Sequence, residues 1–324
     1  MSLPSLAELD AAAATVYEAM PATPQFSWPL LNAALGTQAW IKHENHTPTG
    51  AFKVRGGLVY MQALTEREPA LDGVILATRG NHGQSLAYAA ARHGLSATIV
   101  VPHGNSVEKN AAMRGLGAQL IEHGEDFQAA REHAQMLAAR DCLHMVPSFH
   151  PDLVSGVATA WVELLRAQPD LETLLVPIGQ GSGICGAIAA RQALGLARSL
   201  RIIGVVSKHA PAYQLSFRAK ASVSADVSTV LADGIACRVP DARSLDMIFE
   251  FVDDVVSVTD DDVASAMRLF YRATHNLAEG AGAAGLAAAM RLKDDTRVRG
   301  RKIGLQLSGA NVDADLFRRV LVGD

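Results

Sequence analysis

Short apolar runs recur along this chain, each closed by glycine, proline or polar residues: 73–78, 97–102, 119–122, 144–147, 174–179, 202–207, 255–259 and 302–307. Runs of this length read as strands buried on both faces. Between most of them lie longer segments with apolar residues at helical spacing, among them 84–92, 126–140, 156–167 and 261–275. Strands alternating with such helices predict parallel sheet with right-handed crossovers. Upstream, Ser5-Leu-Ala-Glu8 has capping-box spacing and predicts a helix running to Met20. Pro21, Pro24 and Pro29 then predict extended chain, followed by a short strand at 39–42 and a helix at 54–65. No repeat, low-complexity tract or linker interrupts the pattern. A division into lobes must therefore come from the chain passing from one sheet to another and back.

Composition narrows the class. The 324 residues are 49% hydrophobic and only 5% aromatic, which suits a large Ala/Leu/Val-packed α/β enzyme body. A net charge of −4 provides no basic footprint for nucleic acid and no polybasic membrane patch. Cys142, Cys185 and Cys237 lie far apart, which argues against disulfides and a zinc site and for a reducing compartment. No apolar run reaches membrane-spanning length, and the N-terminus lacks the order of a signal peptide. The expectation is a cytoplasmic protein.

Candidate chemistry centres on one stretch, residues 43–57. Lysine is seldom buried, yet Lys53 sits between Phe52 and Val54, after a Pro48/Gly50 turn and before Gly56-Gly57. Glycines there permit close backbone approach and unusual φ angles, and Phe52 offers an apolar wall. An amine held in such surroundings loses hydration, and its pKa falls toward the nucleophilic form, the chemistry of a Schiff-base lysine. A surface lysine in a turn is the plainer alternative.

Three further motifs close strands. Thr78-Arg-Gly-Asn-His-Gly83 joins a strand to a helix, so its backbone N–H groups and the helix's positive end form a carboxylate seat. There Thr78 could bond a carboxylate and Asn81 a ring oxygen, or Asn81 could simply cap the helix. In Pro177-Ile-Gly-Gln-Gly-Ser-Gly-Ile-Cys-Gly186, Gly179, Gly181 and Gly183 free the backbone to wrap a phosphate, and Ser182 adds a hydroxyl. The same glycines satisfy G-x-G-x-x-G, but the next strand runs into Ser207-Lys208 without the acid a dinucleotide site requires. A monophosphate cradle is the better reading. Ser308-Gly-Ala-Asn311 ends the last strand, where a small hydroxyl points into the crevice in which α/β sheets bind ligands.

Other residues read more plainly. Asp260-Asp-Asp262 charges a helix start. His43 and His46 lack a third metal ligand, so no metal site is expected. Glu279, in the turn-like Glu279-Gly-Ala-Gly-Ala283, either steers a cofactor hydroxyl or ring or is a helix N-terminal acid.

In order along the chain, Gly50-Ala-Phe-Lys53, Gly80-Asn81-His82, the glycine loop after Pro177 and Ser308-Gly-x-Asn311 resemble the fold-type II pyridoxal-phosphate enzymes of the threonine dehydratase and serine racemase group. The resemblance spans the chain from about the first helix to Asp313. It implies a two-lobed, tryptophan synthase β-like α/β fold, each lobe a largely parallel sheet flanked by helices. Residues 1–50 and 149–324 would form the large cofactor-binding domain and 51–148 the smaller, substrate-closing domain. It implies pyridoxal 5'-phosphate as cofactor, with Lys53 as the catalytic Schiff-base residue, Phe52 beside the ring and Asn81 on the ring hydroxyl. Gly179, Gln180, Gly181, Ser182 and Gly183 would hold the phosphate, Ser308 would face the pyridine nitrogen, and Glu279 belongs to the same site. Thr78, Arg79, Gly80, Asn81 and His82 would bind the substrate.

Departures from the family pattern sharpen the functional expectation. The four-glycine loop is here Gly-Gln-Gly-Ser-Gly, and Ser207-Lys208 stands where cation-binding members place a glutamate. Racemases of the group carry a serine before Gly-Asn-His that protonates the opposite face of the carbanion. This chain has Arg79, a permanent cation and poor proton relay, which disfavours racemisation. The expected reaction is loss of water from a β-hydroxy-α-amino acid of the threonine, serine, 3-hydroxyaspartate or phenylserine type, giving a 2-oxo acid and ammonia. A β-replacement synthase, a racemase and a non-catalytic cofactor-binding protein are the alternatives. The implied partners are a small amino acid and a second copy of the chain in a homodimer, without nucleic acid or membrane.

Overall fold

After a first helix, α1 (Leu6–Tyr17), the chain enters one sheet, leaves it for a second, and returns. The computed structural model describes residues 3–323, so Met1, Ser2 and Asp324, the ends of the expected large domain, lie outside the described residues. The expected capping box is present: Ser5 Oγ accepts from Glu8 N, and the Glu8 carboxylate accepts from Ser5 N. The first visit contributes β1 (Gln25–Ser27), α2 (Pro29–Leu35) and β2 (Ala39–His43). Pro29 does not extend the chain as expected but opens α2 at its first position, where the missing N–H costs nothing.

The excursion runs through α3 (Lys53–Arg67), β3 (Gly73–Ala77), α4 (Asn81–Arg92) and β4 (Ser96–Val101). It continues with α5 (Val107–Gly115), β5 (Gln119–Glu122), α6 (Phe127–Asp141) and β6 (His144–Met145). These strands form a four-stranded parallel sheet in the order β5-β4-β3-β6. Helix α7 (Pro151–Ala167) leads back to β7 (Thr173–Pro177), α8 (Ser182–Ala193), β8 (Arg201–Ser207) and α9 (Ala212–Ala219). The chain ends with α10 (Ala242–Phe251), β9 (Asp254–Val258), α11 (Asp260–Thr274), α12 (Gly280–Arg291), β10 (Ile303–Leu307) and α13 (Ala314–Val322). The first sheet is thus β1-β2-β10-β7-β8-β9, parallel except for the β1–β2 pair. Thr259 and Asp262 form a second capping box at the head of α11, as the acidic run predicted.

Several boundaries differ from the expectation, and the differences matter at the site. Helix α3 begins at Lys53 itself, and α4 begins at Asn81 rather than Gln84. Gly56 and Gly57 have ordinary helical φ values, so they do not supply unusual angles. Their function is close approach: a Cβ on Gly56 would lie 2.8 Å from the carbonyl oxygen of Leu153 on α7, and one on Gly57 would collide with Ser85 of α4.

Helix α3 is also fixed by a buried ionic cluster. Arg55 donates from Nε to Glu44 at 2.7 Å and from Nη1 to Glu163 at 2.6 Å, and Lys42 meets Glu163 at 2.6 Å. Thr23 Oγ1 donates to Glu44, so four segments converge on one fully buried guanidinium. Charges so placed persist only when every one is paired.

Candidate active site

The carboxyl ends of β3, β7 and β10 and the head of α3 face one cavity of about 160 Å³. Such ends are where open α/β sheets bind ligands. The cavity wall brings together all the residues expected from sequence: Phe52 and Lys53, Thr78 through His82, Gly179 through Gly183, Glu279 and Ser308.

Lys53 is half-buried, and its Nζ donates to Ser182 Oγ across 2.7 Å. Burial pulls its pKa from the ordinary lysine range to about 8. The nitrogen lies 5.0 Å from the centroid of the Phe52 ring, the wall anticipated from sequence. Phe52 is itself held by its backbone N–H, which donates to the carbonyl of Ser308.

The glycine loop ends at the head of α8, with Gly181 as N-cap at φ 98°. That left-handed angle favours glycine. A Cβ there would collide with Ser244 of α10, so the loop is packed tightly from behind. The loop backbone and the positive end of α8 meet at the cavity, a ready seat for a phosphate.

Opposite, Gly80 rather than Asn81 caps α4, and the Thr78 hydroxyl accepts from Gly80 N. Asn81 is instead bound at both ends of its amide: Nδ2 donates to Glu279 Oε1 at 2.6 Å, and Oδ1 accepts from Asn311 Nδ2 at 2.8 Å. One Asn81 N–H remains. Glu279 takes the N-cap position of α12 without capping it, so the residues after it are helix and not a turn. His82 lies against the Pro147 carbonyl, and burial, helped by nearby Lys53, pulls its pKa to about 3, so the ring stays neutral. Arg79 is exposed at the cavity and makes no hydrogen bond or ion pair with a described residue. His43 and His46 are occupied elsewhere, with Trp28 and Asn276.

Sequence reasoning missed Lys109 and Asp233. Both line the cavity and pair at 2.7 Å, although one lies on α5 and the other in a 3-10 turn more than a hundred residues later. No local motif marks either residue. It also missed Gln306 on β10, whose Nε2, like Glu279 Oε2, is buried without a hydrogen-bond partner among the described residues.

An unpaired Gln306 amide nitrogen, a deprotonatable amine beside an aromatic wall and an anion seat at a helix head suit a flat cofactor bearing both a carbonyl and a phosphate. Pyridoxal phosphate is such a cofactor. The chain belongs to the family described as pyridoxal-phosphate dependent enzyme, whose model matches residues 16–309. It is 32% identical to the L-threonine ammonia-lyase of Thermotoga maritima, over 90% of this chain and 72% of that protein. It is 31% identical to the L-threo-3-hydroxyaspartate ammonia-lyase of Saccharomyces cerevisiae, over 100% of this chain and 98% of that one. It spans 59% of the biosynthetic L-threonine dehydratase of Salmonella typhimurium, at 32% identity over 95% of this chain. Among solved structures, a pyridoxal 5'-phosphate-dependent aspartate racemase superposes with a TM-score of 0.90 at 28% identity, covering 96% of this chain and 97% of its own. The two-lobed fold-type II expectation therefore holds. No helix among the described residues is long and apolar enough to cross a membrane.

Proposed function

We propose that this protein is an ammonia-lyase that eliminates water from a β-hydroxy-α-amino acid and releases a 2-oxo acid and ammonia. The observation that carries the reading is Lys53, an amine of lowered pKa that faces both an aromatic ring and the phosphate seat. The names of the ammonia-lyase relatives support it.

Bound in this cavity, pyridoxal phosphate supplies the electron sink that makes an amino acid's α-proton acidic. The backbone of Gly179 to Gly183 with Ser182 holds the phosphate, Phe52 flanks the ring, and Ser308 meets the ring nitrogen. Asn81 donates its remaining N–H to the ring hydroxyl. The head of α4, with Thr78, Gly80 and His82, seats the substrate carboxylate, and Arg79 reaches the substrate side chain. Lys53 Nζ, neutral once released, takes the α-proton. The β-hydroxyl departs as water, its added proton balanced by the α-proton that Lys53 took, and hydrolysis of the released enamine gives the oxo acid and ammonia. A guanidinium at position 79 cannot act as a second base, which weighs against racemisation.

In the same reading, residues 1–50 and 149–324 hold the cofactor and 51–148 close on the substrate. The working unit is a cytoplasmic homodimer that takes no nucleic acid. Light scattering tests the dimer. The function is tested with a panel of β-hydroxy amino acids scored for 2-oxo acid and ammonia. Release of both products without a second substrate is expected. Turnover only with an added nucleophile, or inversion without ammonia, would overturn it.

A further inference from the structure

The cavity holds a chain of polar contacts that crosses between the two sheets. Lys109, on α5 beside the four-stranded sheet, is 7% exposed and places Nζ 2.7 Å from Asp233 Oδ2 and 3.5 Å from Glu279 Oε2. Its alkyl stem lies over the head of α4, where a Cβ on Gly80 would come within 2.5 Å of Lys109 Cδ. The remaining Glu279 oxygen accepts from Asn81, and Asn311 fixes the other end of the Asn81 amide. Elements of both lobes thus meet in one line, Asp233–Lys109–Glu279–Asn81–Asn311.

We propose that Lys109 is a positioning residue for the cofactor: held between Asp233 and Glu279, its ammonium keeps Glu279 an anionic acceptor that locks the Asn81 amide with one N–H free for the ring hydroxyl. This rests on the reading of Asn81 as a cofactor ligand.

The physical argument is one of charge. Glu279 is buried, and burial, with Asp233 adding to it, leaves its pKa above the ordinary carboxylate value; Lys109 is the cation that limits the rise, helped by the Asn81 amide. Burial also works against the Lys109 charge, but the carboxylates of Glu279 and Asp233 outweigh it and hold its pKa above the usual lysine range. An ammonium so held is a poor proton donor near neutrality, so its function is electrostatic and not acid catalysis. Without it, Glu279 faces Asp233 and the neutral Asn81 with no compensating cation, and takes up a proton at higher pH. A protonated Glu279 can donate to Asn81, turning the amide over and removing the N–H that faced the ring.

The test is pyridoxal-phosphate affinity, followed by fluorescence quenching of the apoprotein from pH 6 to 9, with apoprotein melting measured alongside. Lys109→Met is expected to weaken binding about tenfold at pH 6 and less at pH 9, since one lost charge-assisted contact accounts for about this much. Lys109→Arg is expected to restore affinity and the wild-type pH profile. Glu279→Gln is expected to bind weakly at every pH in the range, and Lys109→Met added to it to cause no further loss. Should the methionine variant fail to fold, Lys109→Gln replaces it, with the same expected direction. Wild-type affinity in the lysine variants, or additive losses with Glu279→Gln, would overturn the proposal while leaving the cofactor site intact. Unchanged affinity in Asn81→Ala would overturn it through the underlying reading instead.

Discussion

Lys53 Nζ donates to Ser182 Oγ across 2.7 Å and so joins the first residue of α3 to the first residue of α8. The Lys53 amine and the glycine loop at the head of α8 are thereby held together. In the proposed mechanism Lys53→Ala removes both the amine that bonds the cofactor and the base that takes the α-proton. Lyase activity is expected to fall at least about a thousandfold, because nucleophile and base are lost together. The absorbance of the bound cofactor should vanish while apoprotein melting changes little. Turnover near that of wild type would sink the assignment.

A lysine pKa lowered by burial to about 8 has a signature in the apoprotein. At pH 7 about one amine in ten is neutral, against roughly one in three thousand for an ordinary lysine. The rate of cofactor uptake should therefore climb with pH and level off just above pH 8. The same group also affects stability. Its unfolded pKa is the higher one, so the unfolded chain binds more protons between about pH 8 and 10.5, and the Lys53 contribution makes the apoprotein more stable as pH rises through that window. Uptake that keeps climbing to pH 10 would place the amine in water.

Gly181, the N-cap of α8, packs against Ser244. Its φ of 98° is strained for any side chain, and a Cβ would collide with Ser244 from the side away from the cavity. Gly181→Val should push the loop toward the phosphate seat, lowering cofactor affinity more than it slows turnover at saturating cofactor. Equilibrium dialysis of the variant checks this; unchanged affinity means the loop does not hold the phosphate.

Arg55 stands two residues beyond Lys53 and is paired with both Glu44 and Glu163. Arg55→Met leaves two buried carboxylates, with Lys42 as the nearest remaining cation on Glu163. A loss of about 3–5 kcal/mol in unfolding free energy is expected, as when one partner of a buried pair is removed. Urea denaturation measures it. A loss below about 1 kcal/mol would mean that water reaches the cluster, as it does an exposed ion pair.

The strands and the four cavity-lining motifs were legible because each is local. An apolar run followed by glycine and a polar residue marks a strand end whatever lies beside it. Lys53, Asn81, Ser182 and Ser308 stand at such positions, each at the head of a helix or the end of a strand, and all line the cavity. Lys109 and Asp233 were not legible, because their meaning is a pairing between distant elements, and alone each looks like a surface charge. The turn reading of residues 280–283 failed for a related reason. Glycine and alanine there serve close packing inside α12, where a Cβ on Gly282 would strike the Gly309 backbone, and that demand overrides helix propensity. The short β1 carries too few residues for its period to show, and only its antiparallel partner β2 defines it.

Arg79 is the residue we propose to select the substrate. Of the cavity's cations, Lys109 is held by Asp233 and Glu279 and Lys53 bonds Ser182, whereas Arg79 has no partner among the described residues. The substrate's α-carboxylate is assigned to the head of α4, which leaves the guanidinium for the side chain. A planar fork suits a carboxylate in bidentate fashion and stacks on an aromatic ring. If Arg79 reads the side chain, the expected preference is for a β-hydroxyaspartate or a phenylserine, with threonine, which offers neither group, turned over poorly. For the substrate that uses the contact, Arg79→Ala should cost roughly 2–4 kcal/mol in transition-state binding, a fall of about thirtyfold to a thousandfold in kcat/KM. For threonine the same variant should change little. Measuring kcat/KM for hydroxyaspartate, phenylserine and threonine in both proteins separates selection from support. Equal losses on all three would mean that Arg79 maintains the site and does not read the side chain.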